Sequence, residues 1–134
     1  PLLKAFELEN VRNGFARPWC GTNAWSAELD DKSPYLKLTW ETKRTISCME
    51  LAFDADFDDP MESVLVEHPQ RVSPLCVRSL SVLNDCGRVI ARIDENHSSR
   101  RQLLFESPDP TCSITLVFDV TTHPPSLFEV RCYE

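Results

Sequence analysis

Glycine is scarce in this chain of 134 residues: only Gly14, Gly21 and Gly87 are present. A phosphate loop or a dinucleotide fingerprint needs several glycines at fixed spacing, so that backbone can approach phosphate oxygens. Neither can be written anywhere. A Gly-x-Ser-x-Gly nucleophile elbow is excluded in the same way. Histidine is as thin. His68, His97 and His123 stand in "EHPQR", "ENHSSRR" and "THPP", beside Pro, Asn or Ser. No local signature pairs one of them with a nucleophile. There is no Cys-x-x-Cys pair and no His-x-x-x-His, so zinc-ligand spacing is missing too. No apolar run approaches the ~20 residues of a membrane-spanning helix. Basic charge is in deficit, with 14 Lys and Arg against 21 Asp and Glu and a net charge of −7. The one basic group is Arg88, Arg92, Arg100 and Arg101, and Asp94 and Glu95 interrupt it. That balance repels phosphate backbones and excludes nucleic acid as a partner.

What is present points to a folded domain. Hydrophobic residues make up 42% of the chain, with three Trp and seven Phe, and its length suits one domain over 1–134 with a single core. The opening "PLLKAFELEN" carries no signal-peptide pattern and reads as the cut edge of a longer protein or a processed start. The compartment stays open. Six cysteines, at 20, 48, 76, 86, 112 and 132, would allow three bridges. Several lie in strand-like runs, however. Cys112 shares a period-2 face with Ile114, Leu116 and Phe118, and Cys132 joins Phe128 and Val130. Such cysteines read as small buried hydrophobes, which predicts reduced thiols with Cys48, Cys112 and Cys132 inside.

Period-2 alternation dominates the chain. "YLKLTWE" sets Leu36, Leu38 and Trp40 against Tyr35, Lys37, Thr39 and Glu41, and "CSITLVFD" and "LFEVRCY" alternate as clearly. "TISCMELAFD", "VRSLSVL" and "RVIARI" are strands with slips of phase that suggest bulges. "NDCG" at 84–87 predicts a hairpin turn, and "RQLLFE" adds a strand before the turn "SPDP". No stretch of ten residues carries a helical stripe. Seven or eight strands with long loops at 9–34 and 55–74 predict an all-β, antiparallel β-sandwich of jelly-roll type.

Two loop segments invite a functional reading. "DADFDD" places Asp54, Asp56 and Asp58 at alternate positions, but Asp59 stands at the sixth position of a calcium loop and Leu65 at the twelfth, where Gly and Glu are required. It reads as a solvated acidic loop. "NGFARPWCGTNAW", residues 13–25, gathers Asn13, Arg17, Trp19, Asn23 and Trp25 with two of the three glycines and no periodicity. Trp25 precedes a strand and reads as core. Trp19, after Arg17 and Pro18, is the candidate for exposure, set to contact a neighbouring domain or to stack on a sugar ring, with simple packing in the fold as the alternative. "ENHSSRRQLLF" delivers Arg100 and Arg101 into a strand, with His97 beside them. Consecutive strand residues face opposite ways, so one arginine is expected on any one surface. Their readings are solvated charges paired with Glu95 or Asp94, or a polar surface shared with the opening loop.

The matches "NG" at 13–14, "NAWSA" at 23–27, "PYLKLTW", "RTISCMELAFD" and "SLFEVRCYE" together resemble the galactose-binding-like sandwich of discoidin domains, coagulation-factor C-type domains and bacterial carbohydrate-binding modules. More narrowly, "NGFARPW…NAW", "ENHSSRRQLLF" and "FEVRCYE" resemble the C-terminal sandwich of bacterial FAD-dependent oxidoreductases. That resemblance implies a non-catalytic accessory module, the C-terminal part of a longer protein, that packs on an upstream domain of the same chain or presents substrate to it. FAD would then sit only in the upstream domain. The alternative is a carbohydrate-binding module that recognises a glycan through its loops. Relatives in the superfamily hold a structural calcium near the first strand. By position Asn13 would stand where Asp is common, Asn23 would offer a carbonyl, and Glu129 would match the acidic residue of the last strand. The contact candidates for a ligand or domain are Arg17, Trp19, His97, Arg100 and Arg101.

Overall fold

The computed structural model describes residues 5–55, 76–119 and 123–134. Within them the strands are β1 (Trp25–Ser26), β2 (Tyr35–Arg44), β3 (Cys48–Ala52), β4 (Leu80–Leu83), β5 (Val89–Ile93), β6 (Arg100–Leu104), β7 (Thr111–Phe118), β8 (Ser126–Leu127) and β9 (Glu129–Tyr133). Every pairing is antiparallel. One sheet runs β2-β7-β4-β5, the other β6-β3-β9, and β1 pairs with β8 as a two-residue ribbon. The ribbon raises the strand count above the expected seven or eight, because two residues are too few to leave a periodic signal. β1 falls inside the predicted loop 9–34, and a short 3-10 helix, Leu8–Arg12, overlaps its start. Nearly all of the predicted loop 55–74, with Asp56, Asp58 and His68, lies outside the described residues.

Alternation becomes burial. In β2, Leu36 is buried and Leu38 and Trp40 half-buried, while Tyr35, Lys37, Thr39 and Glu41 face solvent. Ile114, Leu116 and Phe118 of β7 enter the same cluster as Met49 and Leu51 of β3 and Val130 of β9. Trp25, 6% exposed, packs on Phe118 with ring centroids 5.4 Å apart and planes tilted by 38°. This geometry suits the aromatic quadrupole.

The phase slips have two different causes. In the β4–β5 hairpin the register shifts between Val82 and Leu83, whose partners are Ala91 and Val89, so the expected bulge is there. Its turn closes with Gly87 donating its N–H to the Asn84 carbonyl at 3.0 Å, at a φ of 76° that favours glycine. In β3 the register is regular against both neighbours from Cys48 to Ala52, which corrects the expectation of a bulge there. Leu51, Ala52 and Phe53 are buried in succession because both faces are covered at that point. Ala52 points outward, away from the main core, and packs with Ala24 and Phe128 and with the half-buried Ala16.

All six cysteines are free. Their placement differs from the expected interior: Cys48, Cys112 and Cys132 are half-buried, and Cys76 is the buried one. Cys112 is displaced by a break in the β2–β7 register. Thr39 faces Ser113 but Arg44 faces Thr111, so β2 carries three extra residues there and Ser113 and Ile114 are buried in succession. Burial, reinforced by nearby Cys48, pushes the Cys132 thiol up to about 12. Burial first, and Asp54 second among the raising influences, lift that of Cys76. Thiolate is the reactive form. A thiol reagent at about pH 8 should therefore modify the exposed Cys20 and Cys86 quickly, and Cys76 and Cys132 only after denaturation. Rapid native labelling of Cys132 would contradict its placement.

Asp85 ties the hairpin to β7. Its Oδ2 accepts the Cys112 N–H at 3.0 Å, and its own N–H donates to Thr111 Oγ1 at 3.1 Å. The Cys112 N–H bond is the main influence lowering the Asp85 pKa. A depressed carboxyl stabilises the fold above its unfolded value of about 3.9, and this is lost as pH falls through the lower folded value. Asp85→Asn should thus lower the unfolding midpoint at neutral pH, with the gap to wild type narrowing below about pH 4. A gap independent of pH would remove this role. Trp25→Ala empties a core site and should cost ~3–5 kcal/mol in chemical denaturation; a loss below ~1 kcal/mol would place the indole outside the core.

Candidate ligand-binding end of the sandwich

Asparagine side chains build the opening loop. Asn10, on the 3-10 helix, donates through Nδ2 to the carbonyls of Ala24 at 2.8 Å and Ala5 at 3.2 Å. Thr22 Oγ1 donates to the same Ala5 carbonyl. Asn13 Nδ2 donates to Asn23 Oδ1 at 3.0 Å, and Asn13 Oδ1 accepts the Phe15 N–H at 2.9 Å. Asn23 Nδ2 in turn donates to the carbonyls of Trp19, at 2.8 Å, and Arg17, at 3.3 Å. These bonds hold Cys20 and Asn23 in left-handed backbone, at φ of 54° and 48°, a conformation that costs an L-residue roughly 1–2 kcal/mol. Trp19 is displayed at the crest of this network, 63% exposed. Arg17 is exposed beside it.

The loop rests on the outer face of the three-stranded sheet. Met49, Leu51, Val130 and Cys132 turn toward the core, so strand alternation puts Glu50 and Ala52 on the other face with their register partners. Those are Gln102 and Arg131 for Glu50, and Arg100 and Glu129 for Ala52. Ala16 and Ala24 cover Ala52, so the loop bearing Arg17 and Trp19 meets the sheet at the row Arg100–Ala52–Glu129. His97, exposed, lies in the β5–β6 loop that leads into this row, with Nδ1 3.4 Å from the Glu95 carbonyl. Three of the elements carrying the sequence candidates therefore end at one place. Among the described residues, no hydrogen bond or ion pair joins Arg17 or Trp19 to Arg100 or Arg101.

A depression of about 270 Å³ opens on this face, lined among others by Glu50, Arg100, Arg101, Gln102, Glu129 and Arg131. Both arginines of the "RR" pair border it, but register sets Arg100 beside outward-facing Ala52 and Arg101 beside inward-facing Leu51, so alternation gives this face the Arg100 side chain. Neither arginine pairs with Glu95 or Asp94. Asp94 is taken by Arg92 at 3.0 Å, and Arg92 also reaches Asp119 at 2.7 Å. Glu129, 7% exposed, is held by Arg131 at 2.9 Å, and this bond leads the influences that raise the Arg131 pKa. Glu50 accepts from Tyr133 Oη at 3.2 Å and Gln102 Nε2 at 3.4 Å.

The residues do not fit the calcium site implied by resemblance. Asn13 and Asn23 spend their side chains on each other and on the loop, and the single carboxylate, Glu129, is neutralised by a guanidinium. A hard cation calls for several free oxygens and net negative charge. Among the described residues, no group of three or more His, Cys, Asp or Glu is placed to hold a metal ion. Sequence reasoning missed Asn10, Glu50 and Arg131. Asn10 shows no motif, and the other two become neighbours of Arg100 only through strand register.

No protein-family model matches the chain, and no curated protein sequence is similar to it. Solved structures are similar. The family 32 carbohydrate-binding module of Streptococcus pneumoniae EndoD superposes with a TM-score of 0.70 at 11% identity, over 97% of this chain and 86% of that one. The family 32 module of C. perfringens NanJ, in complex with galactose, gives 0.67 at 15% identity over 98% and 87%. The fold is a galactose-binding-like β-sandwich. The lectin domain of lectinolysin, complexed with Lewis B antigen, extends the likeness with a TM-score of 0.66 at 13% identity over 98% and 86%.

Proposed function

We propose that this galactose-binding-like sandwich is a non-catalytic carbohydrate-binding module that engages a glycan at the end formed by its opening loop and the β6-β3-β9 face. The observation that carries the reading is Trp19. A large indole is held out in solvent on a loop whose backbone is already fixed by Asn23 and Asn13. A preset aromatic loses little conformational entropy on binding, and its flat face suits the C–H surface of a sugar ring. Arg17 and Arg100 supply guanidinium donors for hydroxyl oxygens, and His97 a ring nitrogen. The likeness to a family 32 carbohydrate-binding module, to a second such module in complex with galactose and to a lectin domain complexed with Lewis B antigen supports this choice over domain packing alone.

The flavoprotein parentage draws no support from those structures. A second reading, docking on an upstream domain, is favoured by one feature: Phe6, Leu8 and Phe15 are exposed on the segment that leads into the sandwich. The two are compatible, since the loop tip and that segment are different surfaces. Carbohydrate binding is tested by calorimetry with galactose-containing oligosaccharides. Trp19→Ala should weaken binding by roughly tenfold or more and leave the denaturation midpoint within ~0.5 kcal/mol of wild type. Unchanged affinity in a folded Trp19→Ala protein would end this assignment.

A further inference from the structure

We propose that the ligand is acidic: Arg100, at the rim of the depression on the β6-β3-β9 face, takes the carboxylate of a uronic-acid sugar whose ring lies toward Trp19. The inference rests on the carbohydrate reading and narrows it. It begins with the distribution of charge. Arg12 pairs with Glu9, Arg44 with Glu134, Arg88 with Asp109, Arg92 with Asp94 and Asp119, and Arg131 with Glu129. In a chain with a net charge of −7, an available carboxylate is the ordinary fate of an arginine. Arg100 and Arg101 are exposed and have no such partner among the described residues, and neither has Arg17 on the adjoining loop or the half-buried Arg78.

The carboxylates nearest to them are already committed. Glu129 is held at 2.9 Å by Arg131, and Glu50 accepts from Tyr133 and Gln102. These side chains share the face with Arg100. The wall of the depression therefore satisfies its own negative charge and leaves one open guanidinium fork, that of Arg100, at its β6 rim. A guanidinium presents paired N–H donors in a plane that matches a carboxylate bidentately, which a sugar hydroxyl cannot reproduce. At about 270 Å³ the depression lies near the lower end of small-ligand sites, ~300 Å³, enough for a short saccharide rather than a protein segment. A neutral sugar would use the indole and leave the Arg100 fork unmatched. A uronate uses both.

The test is calorimetry of the folded chain with four probes: a galacturonic acid oligomer, the neutral galactose oligomer of the same length, a sulfated galactose oligomer, and polyglutamate. The galacturonate oligomer should bind roughly tenfold or more tighter than the neutral oligomer, with the preference fading as salt is raised to about 1 M, where the screening length is ~3 Å. Arg100→Gln should erase the preference. Arg88→Gln removes the same charge at the opposite end of the sandwich and should keep it. Equal affinity for neutral and uronate oligomers, lost together in Trp19→Ala, would overturn the acidic assignment and leave the carbohydrate reading intact. Binding to no saccharide would overturn both. Tighter binding of the sulfated oligomer would refute the carboxylate assignment, and equal binding of polyglutamate would refute a saccharide as the source of the charge.

Discussion

Burial of two facing sets of side chains is the interaction on which the rest of the molecule depends. Ile114, Leu116 and Phe118 on one sheet and Met49, Leu51 and Phe53 on the other belong to a single cluster and are almost wholly removed from water. Each such side chain contributes roughly 1.5–3 kcal/mol by transfer alone, against ~1–2 kcal/mol of backbone entropy per ordered residue. No disulfide assists among the described residues. The sheets are locked in register because a slip of one residue would send every inward side chain to the solvent face.

That rigid core makes an irregular loop tolerable. The segment from Asn13 to Ala24 has no ladder of its own, and its polar groups are met by asparagine side chains and by the small contact patch of Ala16, Ala24, Ala52 and Phe128. Alanine at 52 is what lets the loop approach, since a larger residue on that outer face would lift it. A loop anchored at both ends can expose Trp19 and Arg17 in one arrangement, beside a sheet face whose guanidiniums are only partly neutralised.

Charge follows the same division. At the hairpin end and along β5, carboxylates and guanidiniums pair off: Arg88 with Asp109, Arg92 with Asp94 and Asp119, and Asp85 with backbone of β7. Exposed pairs of this kind contribute little to stability, so their role is to leave that surface quiet. The β6-β3-β9 face differs, because its two carboxylates are satisfied internally and its edge strand begins with two arginines.

Alternation in "YLKLTWE", "CSITLVFD" and "LFEVRCY" was enough to determine the strands, their buried faces and an all-β sandwich, because a pleated strand repeats every two residues whatever its neighbours are. The glycine count likewise determined which chemistries are absent, since phosphate cradles are local backbone geometry. Tertiary structure alone decided the rest. Whether the slip at Leu51–Phe53 meant a bulge or a face covered twice depended on a loop thirty residues away. Cys112 left the core face because the strand opposite carries three extra residues. Glu129 became the partner of Arg131, and Arg100 and Arg101 were left without one, through contacts among β3, β6 and β9 that no local pattern records. Periodicity reports on a residue's own strand; a site is made of side chains that only register and loop packing bring together.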